Sequence, residues 1–589
     1  MENTKNLTGY PSVDKPWLNY YSEEVVSTPL PSRTLYQNIL QNNKNHLEDI
    51  ALNYFGRKIS YRTLFYQVEA CAKALKQAGV RHGDSVALCT SCTPETAYVV
   101  LACSKIGATA NFLNPLFTTE QKVARTNETE AELLFVLDKM YSFASEMIEQ
   151  SCIKRVIVIP ATQSLPLPMR IISFLNDKAD KILREAIQTK GMFCMWNDFL
   201  KEGLSYTEPT EAEYQRDTPT IMVYSSGTTG ASKGIVLTND GVNATISHYQ
   251  GPDFPYKRGD TYLDYAPVFI STGIIINYLM PVCLGITVIL LPEFTAEMLV
   301  KGLTKYKPNM VTSTASHWLQ AIRSKDMADI DLSAMIYPVA GGEQVLPNVE
   351  EEINTFFKSH GCKSRLITGW GMCELGSVVT TTSPRRSKSG SVGYPISRAV
   401  VSAFDLESGK EMQYGQRGEL RVFTPTRMHG YYKNPEATKE YFHTDDKGRI
   451  WGCTGDIGYV DEDGYVFVLG RVTDCYNTSE GICVYNFDIE NVILRDKAVA
   501  LCKVVGVDAN GNTVPAAHVI LEEGSNEEIA TLVRRLDNIC HENLESYAIP
   551  QYYKIRKAFP VHPNGKRDAE ALKMEREGFI GLNGESIQL

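Results

Sequence analysis

Strand-like and helix-like segments alternate along the chain from about residue 60, and this alternation restricts the fold more than any other feature. Tyr61–Ala78 carries apolar residues at helical spacing and stops at Gly79, a natural helix terminus. Ser85–Cys89 is typical of a buried strand, Thr93–Ile106 of a helix and Ala108–Phe112 of a further strand. Such a repeat predicts an α/β fold with largely parallel sheets flanked by helices.

The length of 589 residues predicts more than one structural unit. Beyond residues 471–475 the pattern becomes a compact α+β unit, in which Asp508–Asn512 is typical of a hairpin turn. We therefore predict a large N-terminal domain over residues 1–472, with βαβ-type sheets and a β-subdomain. A small α+β C-terminal domain is predicted over residues 473–589. Residues 160–215 interrupt the alternation and are interpreted as an insertion.

Composition excludes several classes of function. The net charge of −10 argues against nucleic-acid binding, which usually needs a basic face. Met1–Tyr20 has no continuous apolar segment, so no secretory signal is predicted. The 14 cysteines of such a chain are interpreted as reduced thiols, in agreement with a cytoplasmic location.

Two segments raise the question of membrane contact. Ile274–Leu291 is strongly apolar, but Pro281 and Gly285 interrupt it, so a buried helix followed by a buried strand is predicted instead of a membrane span. Met169–Gln188 is a candidate amphipathic helix. A peripheral packing helix is favoured there because acidic residues offset most of the basic charge, and a peripheral membrane contact stays open as the alternative.

The strongest chemical signal is the segment Tyr224–Gly234, which reads YSSGTTGASKG and lies between two apolar strands. Its glycines allow tight turns with inward N–H groups, its hydroxyls add donors, and Lys233 adds positive charge. A polyphosphate-binding loop is predicted. It is not a Walker A loop, because neither the glycine spacing nor the residue after Lys233 fits that motif.

Five further polar groups follow apolar strands or lie in turns. Gly341–Gln344 follows one strand, and Gly369–Glu374 places an aromatic side chain and a carboxylate at the end of another. Thr454–Asp456 is followed downstream by Gly470 and Arg471, and His562–Lys566 is a tight turn that presents a lysine. Taken singly, each is more often a solvated residue or an ion pair than part of a functional site.

In their order and spacing these motifs resemble the adenylate-forming superfamily of acyl- and aryl-CoA ligases, luciferases and peptide-synthetase adenylation domains. The resemblance extends from about residue 35 to Lys566 and is greatest to bacterial fatty and aryl acyl-CoA synthetases. It implies ATP-dependent activation of an apolar carboxylic acid to acyl-AMP, with pyrophosphate release and then thioester formation with CoA. ATP, Mg²⁺ and CoA are the implied cofactors and co-substrates, and the small C-terminal domain is implied to rotate between the two steps.

The resemblance also assigns residues. Lys566 and Glu374 are implied to be catalytic, and Glu374 is also the implied Mg²⁺ ligand. The implied nucleotide-binding residues are Ser225, Ser226, Gly227, Thr228, Thr229, Gly230, Lys233, Gly342, Glu343, Gln344, Trp370, Gly371, Cys373, Asp456 and Arg471. Those implied to line the acyl pocket or the thiol tunnel are Phe269, Ile270, Gly273 and Gly481.

Four positions depart from the family pattern. Cys373 stands where threonine is common, and Ile270 where a histidine is common. Thr473 occupies the hinge position, where the family usually has an acidic residue or lysine. The loop 475–487 holds one extra residue beside Gly481, which puts the thiol acceptor in question. Two alternatives therefore stay open: loading of a separate acyl carrier protein, and a pseudoenzyme that binds a nucleotide or an acyl group without turnover.

Overall fold

The computed structural model describes residues 7–176, 192–225, 232–250, 254–478, 480, 482–509, 511–522, 524–525, 527–560, 569–582 and 584–588. Its α-helices are Pro11–Asp14, Glu23–Ser27, Leu35–Asn43, Tyr61–Gln77, Pro94–Ile106, Thr119–Thr129, Ala144–Gln150, Leu167–Asn176, Trp196–Glu202, Asn239–His248, Met280–Leu284, Ala296–Tyr306, Ala315–Ile322, Pro347–Ser359, Pro435–Tyr441, Asn486–Ile493, Ile529–Asn543 and Ala569–Lys573. A π-helix spans Thr272–Leu279, and short 3₁₀ turns cover Pro16–Tyr20, Asp138–Phe143, Gly203–Ser205, Lys325–Met327, Cys373–Leu375 and Ser546–Ala548.

One sheet carries the predicted phosphate loop. Within the described ranges its eight strands lie side by side in the order Gly430–Tyr431, Gly234–Thr238, Pro219–Tyr224, Thr109–Phe112, Ser85–Cys89, Leu133–Leu137, Arg155–Ile159 and Phe193–Met195. The last six pair in parallel. Pro219–Tyr224 and Gly234–Thr238 pair antiparallel, so the loop between them closes a hairpin at this end of the sheet.

A second sheet is also largely parallel. In the part of the chain that is described, its nine strands follow the order Tyr394–Pro395, Thr380–Thr381, Ile367–Trp370, Tyr337–Ala340, Met310–Ser313, Thr261–Asp264, Thr287–Leu290, Ile50–Tyr54 and Arg57–Ser60. The six strands from Ile367–Trp370 to Ile50–Tyr54 pair in parallel. Ligands of parallel sheets bind outside the carboxyl ends of the strands, which points to the residues that follow them.

The two sheets share one apolar core. Every residue of the helix Pro94–Ile106 is buried, as expected for a helix that is apolar around its whole circumference. Val86 and Leu88 of the first sheet and Leu52 and Val288 of the second belong to the same cluster of buried side chains. Loops from both sheets can therefore contribute to one site.

Two five-stranded sheets and a two-stranded hairpin make up the other β-structure of the described residues. Val400–Phe404, Gly418–Phe423, Ile450–Val460, Phe442–Thr444 and Val466–Arg471 form the β-subdomain. Val499–Ala509, Asn512–Leu521, Tyr552–Arg556, Phe579–Ile580 and Ser586–Ile587 form the C-terminal sheet, preceded by a hairpin of Cys475–Asn477 and Cys483–Tyr485. The predicted α/β class, with a β-subdomain and a small α+β C-terminal part, is confirmed.

The apolar segment near residue 280 is not a bilayer span. The π-helix Thr272–Leu279 continues into Met280–Leu284, and the buried strand Thr287–Leu290 follows. Among the described residues no helix combines the length and the apolar character that crossing a membrane requires. In the predicted insertion the helix begins at Leu167 rather than Met169, and its expected continuation beyond Asn176 lies outside the described residues.

Candidate active site

The base of the predicted phosphate loop is closed by two hydrogen bonds. The backbone N–H of Ser225 donates to the carbonyl oxygen of Lys233 (3.0 Å), and the backbone N–H of Lys233 donates to Ser225 Oγ (3.0 Å). The paired strands Pro219–Tyr224 and Gly234–Thr238 continue directly from these two residues. These bonds hold the two ends of the loop, Ser225 and Lys233, side by side where the paired strands meet it.

A tyrosine links the lysine of this loop to the predicted metal ligand. Lys233 Nζ lies 4.9 Å from the centre of the Tyr431 ring, and the Tyr431 hydroxyl donates to Glu374 Oε1 (3.1 Å). Burial, and then the negative charge of Glu374, raises the pKa of Tyr431, so its hydroxyl stays a donor. Lys233 directly precedes a strand of the first sheet and Glu374 follows a strand of the second, so this contact brings the two sheets to one site.

The backbone around Tyr431 is fixed on both sides. Gly430–Tyr431 pairs antiparallel with Gly234–Thr238, and the N–H of Tyr432 donates to the carbonyl of Gly234 (2.8 Å). The N–H of Met428 donates to the carbonyl of Glu374 (2.7 Å). The segment therefore sets the separation between the phosphate loop and the Glu374 turn.

Glu374 is suited to a magnesium ion that is shared with phosphate oxygens. It lies half-buried in the 3₁₀ turn Cys373–Leu375, and Tyr431 contacts only one of its two oxygens. Throughout the described ranges no three His, Cys, Asp or Glu side chains cluster as a metal site would require. A single carboxylate fits Mg²⁺, which usually keeps waters and binds substrate phosphates rather than a cage of protein ligands.

The thiol of Cys373 is held by the start of the π-helix. Ser271 Oγ donates to Cys373 Sγ (3.1 Å), and Thr272 Oγ1 and Ser377 Oγ are 2.7 Å apart. Glycine is required at position 371 in the same turn, because a Cβ there would lie 1.8 Å from the carbonyl oxygen of Ser377. The Glu374 turn and the π-helix are thus packed as one unit.

Asp456 forms a compact polar group with Trp370 and Arg471. Trp370 Nε1 donates to Asp456 Oδ2 (2.8 Å), and Arg471 Nε lies 3.0 Å from Oδ1. Burial raises the pKa of Asp456, while Arg471 and the Trp370 N–H act in the opposite direction. Arg471 also donates to the carbonyl oxygen of Thr454 (2.7 Å), and its side chain is 57% exposed. The aromatic and acidic residues predicted from separate motifs are therefore in direct contact.

The glycine pair after Tyr337–Ala340 leaves an open space. A Cβ built on Gly341 or Gly342 would meet no atom within 4 Å, and Gly342 has a positive φ of 82°. Glu343 Oε1 accepts the backbone N–H of Ser316 (2.6 Å) in the first turn of a helix, and Gln344 is exposed. A flat group could therefore approach this backbone closely.

The residues expected to line the acyl pocket lie at the start of the π-helix. Phe269 packs partly buried against the main core, and Ile270 is 36% exposed. Gly273 is buried, and a Cβ there would lie 1.9 Å from the carbonyl oxygen of Pro267. The N–H of Met280 donates to the carbonyl of Ile275, an i→i+5 bond typical of π-helical turns, which are frequent at functional sites.

Several expected site residues cannot be placed. Ser226, Gly227, Thr228, Thr229 and Gly230 of the loop tip, together with Gly481 and Lys566, lie outside the described residues. Their roles stay predictions of the sequence.

Two site residues escaped the sequence analysis. Tyr431 belongs to an aromatic pair just before Asn434, which caps the helix Pro435–Tyr441, and this pair is the signal that could have drawn attention to it. Ser271 lies directly after Ile270, but no sequence pattern indicates that it contacts Cys373, 102 positions away.

Family models and known proteins match the chain over most of its length. The sequence profile described as "AMP-binding enzyme" matches residues 40–432, and that described as "AMP-binding enzyme C-terminal domain" matches residues 488–566. The long-chain-fatty-acid–CoA ligase of Bacillus subtilis is 26% identical over 560 residues, which cover 94% of this chain and 96% of the relative. The 4-coumarate–CoA ligase 4 of Arabidopsis thaliana is 25% identical over 486 residues, which cover 80% of this chain and 78% of the relative.

Solved structures share the architecture. The anthranilate CoA ligase AuaEII in complex with anthranoyl-AMP superposes with a TM-score of 0.75 at 22% identity, covering 93% of this chain and 98% of that one. Apo MatB from Rhodopseudomonas palustris superposes with a TM-score of 0.72 at 20% identity, covering 92% and 98%. At these identities the likeness concerns the fold. The first profile covers well over half of the residues, and the chain therefore belongs to the AMP-binding enzyme family.

Proposed function

We propose that this protein is an AMP-forming carboxylate–CoA ligase, which activates an apolar fatty or aryl acid with ATP and transfers the acyl group to CoA. The observation that carries the proposal is the chain of contacts from Lys233 through Tyr431 to Glu374. It joins a phosphate-loop cation to a magnesium-binding carboxylate, and both are needed to neutralise charge as pyrophosphate leaves. The CoA ligases among the relatives support the same activity.

The nucleotide would lie across the carboxyl ends of the second sheet. Glu343 and Trp370 would border the adenine, and Asp456 would accept hydrogen bonds from the ribose hydroxyls. Trp370 and Arg471 already hold the Asp456 carboxylate in place, so little rearrangement is needed on binding. Ser225 and Lys233 would hold the base of the loop that contacts the β- and γ-phosphates.

The acid would approach from the side of the π-helix. Its carboxylate must reach the α-phosphate near Cys373 and Glu374. The π-helix is apolar, and the residue before it, Ser271, contacts Cys373 of this turn. Phe269, Ile270 and Gly273 would line the entrance of the acyl pocket. Magnesium, held by Glu374 and the phosphates, would supply charge neutralisation at the leaving pyrophosphate.

Lys566 would complete the site from the C-terminal part of the chain by bridging the acid and the α-phosphate. We expect carboxylate-dependent ATP–pyrophosphate exchange in the wild type and nearly complete loss in Lys566→Ala, with ATP binding by calorimetry retained. A broad panel of carboxylic acids that gives no exchange despite ATP binding would refute the ligase and favour a pseudoenzyme.

The thiol acceptor is a separate part of the proposal. With CoA present, we expect acyl-AMP to be consumed as acyl-CoA forms, through a tunnel that Gly481 would line. Persistent acyl-AMP in the presence of CoA, followed by turnover when a phosphopantetheinylated carrier protein is added, would identify a carrier-protein ligase instead.

We place the enzyme in the cytoplasm, where ATP and CoA are available. All 14 cysteines are free thiols, as expected in a reducing compartment. Leu167, Met169 and Ile171 are exposed at the start of one helix, which supports a weak peripheral contact with membranes. Co-sedimentation with anionic lipid vesicles tests that contact.

A further inference from the structure

Two consecutive side chains at the start of the π-helix contact residues on either side of Glu374. Ser271 Oγ donates to Cys373 Sγ (3.1 Å), and Thr272 Oγ1 lies 2.7 Å from Ser377 Oγ. We call these four residues the contact cluster. Cys373 directly precedes Glu374 and Ser377 follows it by three positions, so both contacts lie beside the proposed magnesium ligand.

Ser377 holds a backbone conformation that residues other than glycine rarely adopt. Its φ is 90°, directly after a φ of 78° at Gly376, and its N–H donates to the carbonyl of Met372 (3.0 Å). Strained backbone of this kind persists only where surrounding contacts require it, and it concentrates at functional sites. The contact with Thr272 is one of those that hold the Ser377 side chain in place.

The two hydroxyl residues of the π-helix lie within the segment proposed to line the acyl pocket. Phe269 and Ile270 come directly before Ser271 and Thr272, and Gly273 comes directly after them. An acid that packs against these three flanking residues would therefore restrict the backbone of the two hydroxyl residues between them. The acyl pocket and the Glu374 turn are thus joined through one short stretch of chain.

A second set of contacts holds the Glu374 turn from another element. The N–H of Met428 donates to the carbonyl of Glu374 (2.7 Å), and Thr426 Oγ1 donates to the carbonyl of Leu375 (2.7 Å). In the same segment Tyr431 donates to Glu374 Oε1 (3.1 Å). The carboxylate is therefore placed between residues 426–431 and the start of the π-helix, and its orientation depends on both.

We propose that Thr272 and Ser377 are positioning residues that couple the acyl pocket to the magnesium site, so that the acid and magnesium-bound ATP strengthen each other's binding. The inference rests on the proposed ligase function and specifies how its substrates cooperate. A bound acid fixes the start of the π-helix, and the contact cluster then fixes the turn that carries Glu374. Because such coupling is reciprocal, the nucleotide tightens acid binding by the same factor as the acid tightens nucleotide binding.

Calorimetry measures this factor without turnover. The nucleotide probe is α,β-methylene-ATP with magnesium, because its methylene bridge prevents the release of pyrophosphate. The acid is the one that gives the fastest ATP–pyrophosphate exchange among straight-chain acids from butanoate to hexadecanoate, benzoate and 4-coumarate. We expect a saturating acid to lower the Kd of the nucleotide at least roughly fivefold in the wild type. The factor should fall to about one in Thr272→Val and return in Thr272→Ser, which restores the hydroxyl.

Ser377→Gly separates coupling from stability. Glycine adopts a positive φ without steric cost, so this variant should unfold at no lower temperature than the wild type, yet lose the coupling together with the hydroxyl. Thr287→Val is the matched control. It removes a buried threonine hydroxyl that donates to the carbonyl of Ile50 (2.7 Å) at the amino end of a strand in the second sheet, and it should leave the factor unchanged.

Thermal unfolding identifies folded variants, and the factor is read from whichever of Thr272→Val and Ser377→Gly folds. A wild-type factor of about one overturns the proposal. A wild-type factor retained in either folded variant also overturns it, and would assign the coupling to direct contact between acid and nucleotide. Absence of exchange with every acid would instead refute the ligase function on which the proposal rests.

Discussion

Tyr431 contacts the two charged groups on which the proposed adenylation depends. Its hydroxyl donates to Glu374 Oε1, so Tyr431→Phe leaves one carboxylate oxygen without its donor and frees the side chain to turn. A hydrogen bond to a charged group is worth about 1.5–3 kcal/mol. We expect at least a tenfold loss in kcat/KM for pyrophosphate exchange, together with a higher magnesium concentration at half-maximal rate.

The neighbouring residue supplies the control. Tyr432→Phe removes a hydroxyl from an adjacent half-buried side chain that carries no contact to Glu374 among the described hydrogen bonds. Its magnesium dependence should match that of the wild type. An unchanged magnesium midpoint in Tyr431→Phe would mean that the tyrosine supports the fold and not the metal site.

Cys373 differs from the usual residue of the family, yet its surroundings suit a hydroxyl. Ser271 Oγ donates to the thiol at 3.1 Å, and a threonine hydroxyl would accept this bond and add a stronger donor toward the phosphates. Cys373→Thr should therefore keep or raise the rate of pyrophosphate exchange. A collapse of the rate in a variant with wild-type thermal stability would reveal a specific role for sulfur.

The buried carboxyl of Asp264 makes stability depend on pH. Its pKa is about 8 in the folded protein and near 3.8 in the unfolded chain, so the folded state keeps a proton that the unfolded state loses in this window. Its stabilising contribution is complete below pH 3.8 and is lost as the pH rises toward 8, by at most about 1.4 kcal/mol per pH unit. Urea unfolding should show Asp264→Asn gaining stability relative to the wild type from pH 5 to 8. Parallel stability curves would contradict the prediction.

Single residues of the site could be predicted where chemistry is encoded locally. The glycines and hydroxyls around Lys233 indicate a phosphate loop from their own spacing. The contact of Trp370 with Asp456 joins positions 86 apart, and no local pattern encodes such a pair. The same limit explains why Tyr431 and Ser271 were missed, since their function lies in partners that only the fold brings near.

At the scale of elements, the π-helix combines a predictable and an unpredictable part. An apolar run ahead of Pro281 predicts a buried helix, and a helix is found there. The i→i+5 hydrogen bond from Met280 to Ile275 is not predictable, because it follows from packing against the strands and the Glu374 turn rather than from propensity. The sequence predicts strands well where four or more apolar residues follow one another, as in Ser85–Cys89.

The start of this helix tolerates no side chain at Gly273. A Cβ would lie 1.9 Å from the carbonyl oxygen of Pro267, so Gly273→Ala must displace backbone. We expect a loss of about 1–3 kcal/mol in the free energy of unfolding, as for other overpacked sites. Gly341→Ala is the matched control, because its Cβ would meet no atom within 4 Å.

The two alanine variants should separate stability from binding. Gly341→Ala should unfold like the wild type in urea but bind ATP more weakly, since the methyl group occupies the space proposed for the adenine. Equal stability of both variants would contradict the packing argument, and unchanged ATP affinity in Gly341→Ala would contradict the proposed place of the nucleotide.

At the scale of the molecule, the sequence predicts a change of structural pattern near residue 473 but not how the two parts touch. The strand Val466–Arg471 ends at that point and the hairpin from Cys475 follows. An atom of the Phe487 ring lies 2.1 Å from the place that a Cβ on Gly470 would take, so residues on either side of position 473 are in contact. The resemblance implies that the C-terminal part rotates about this point between the two half-reactions. A contact that crosses residue 473 is therefore expected to favour one orientation of that part relative to the rest of the chain.

Arg417 and Asp488 form such a contact. Arg417 Nη1 lies 2.8 Å from Asp488 Oδ1, and the side chains are 55% and 31% exposed. A surface pair contributes about 0.2–1 kcal/mol, which shifts a two-state equilibrium by at most about fivefold. Arg417→Gln should therefore slow whichever half-reaction uses this orientation and accelerate the other, while overall stability stays nearly unchanged.

Single-turnover measurements of acyl-AMP formation and of its reaction with CoA test this prediction. Arg323→Gln is the matched control, because the pair of Arg323 with Glu352 (3.0 Å) has similar exposure but both residues precede position 473. It should change neither rate. High salt screens exposed pairs, so raising the ionic strength should move the wild-type rates in the same directions as Arg417→Gln. If both half-reactions changed in the same direction, the pair would act on stability and not on the equilibrium between orientations.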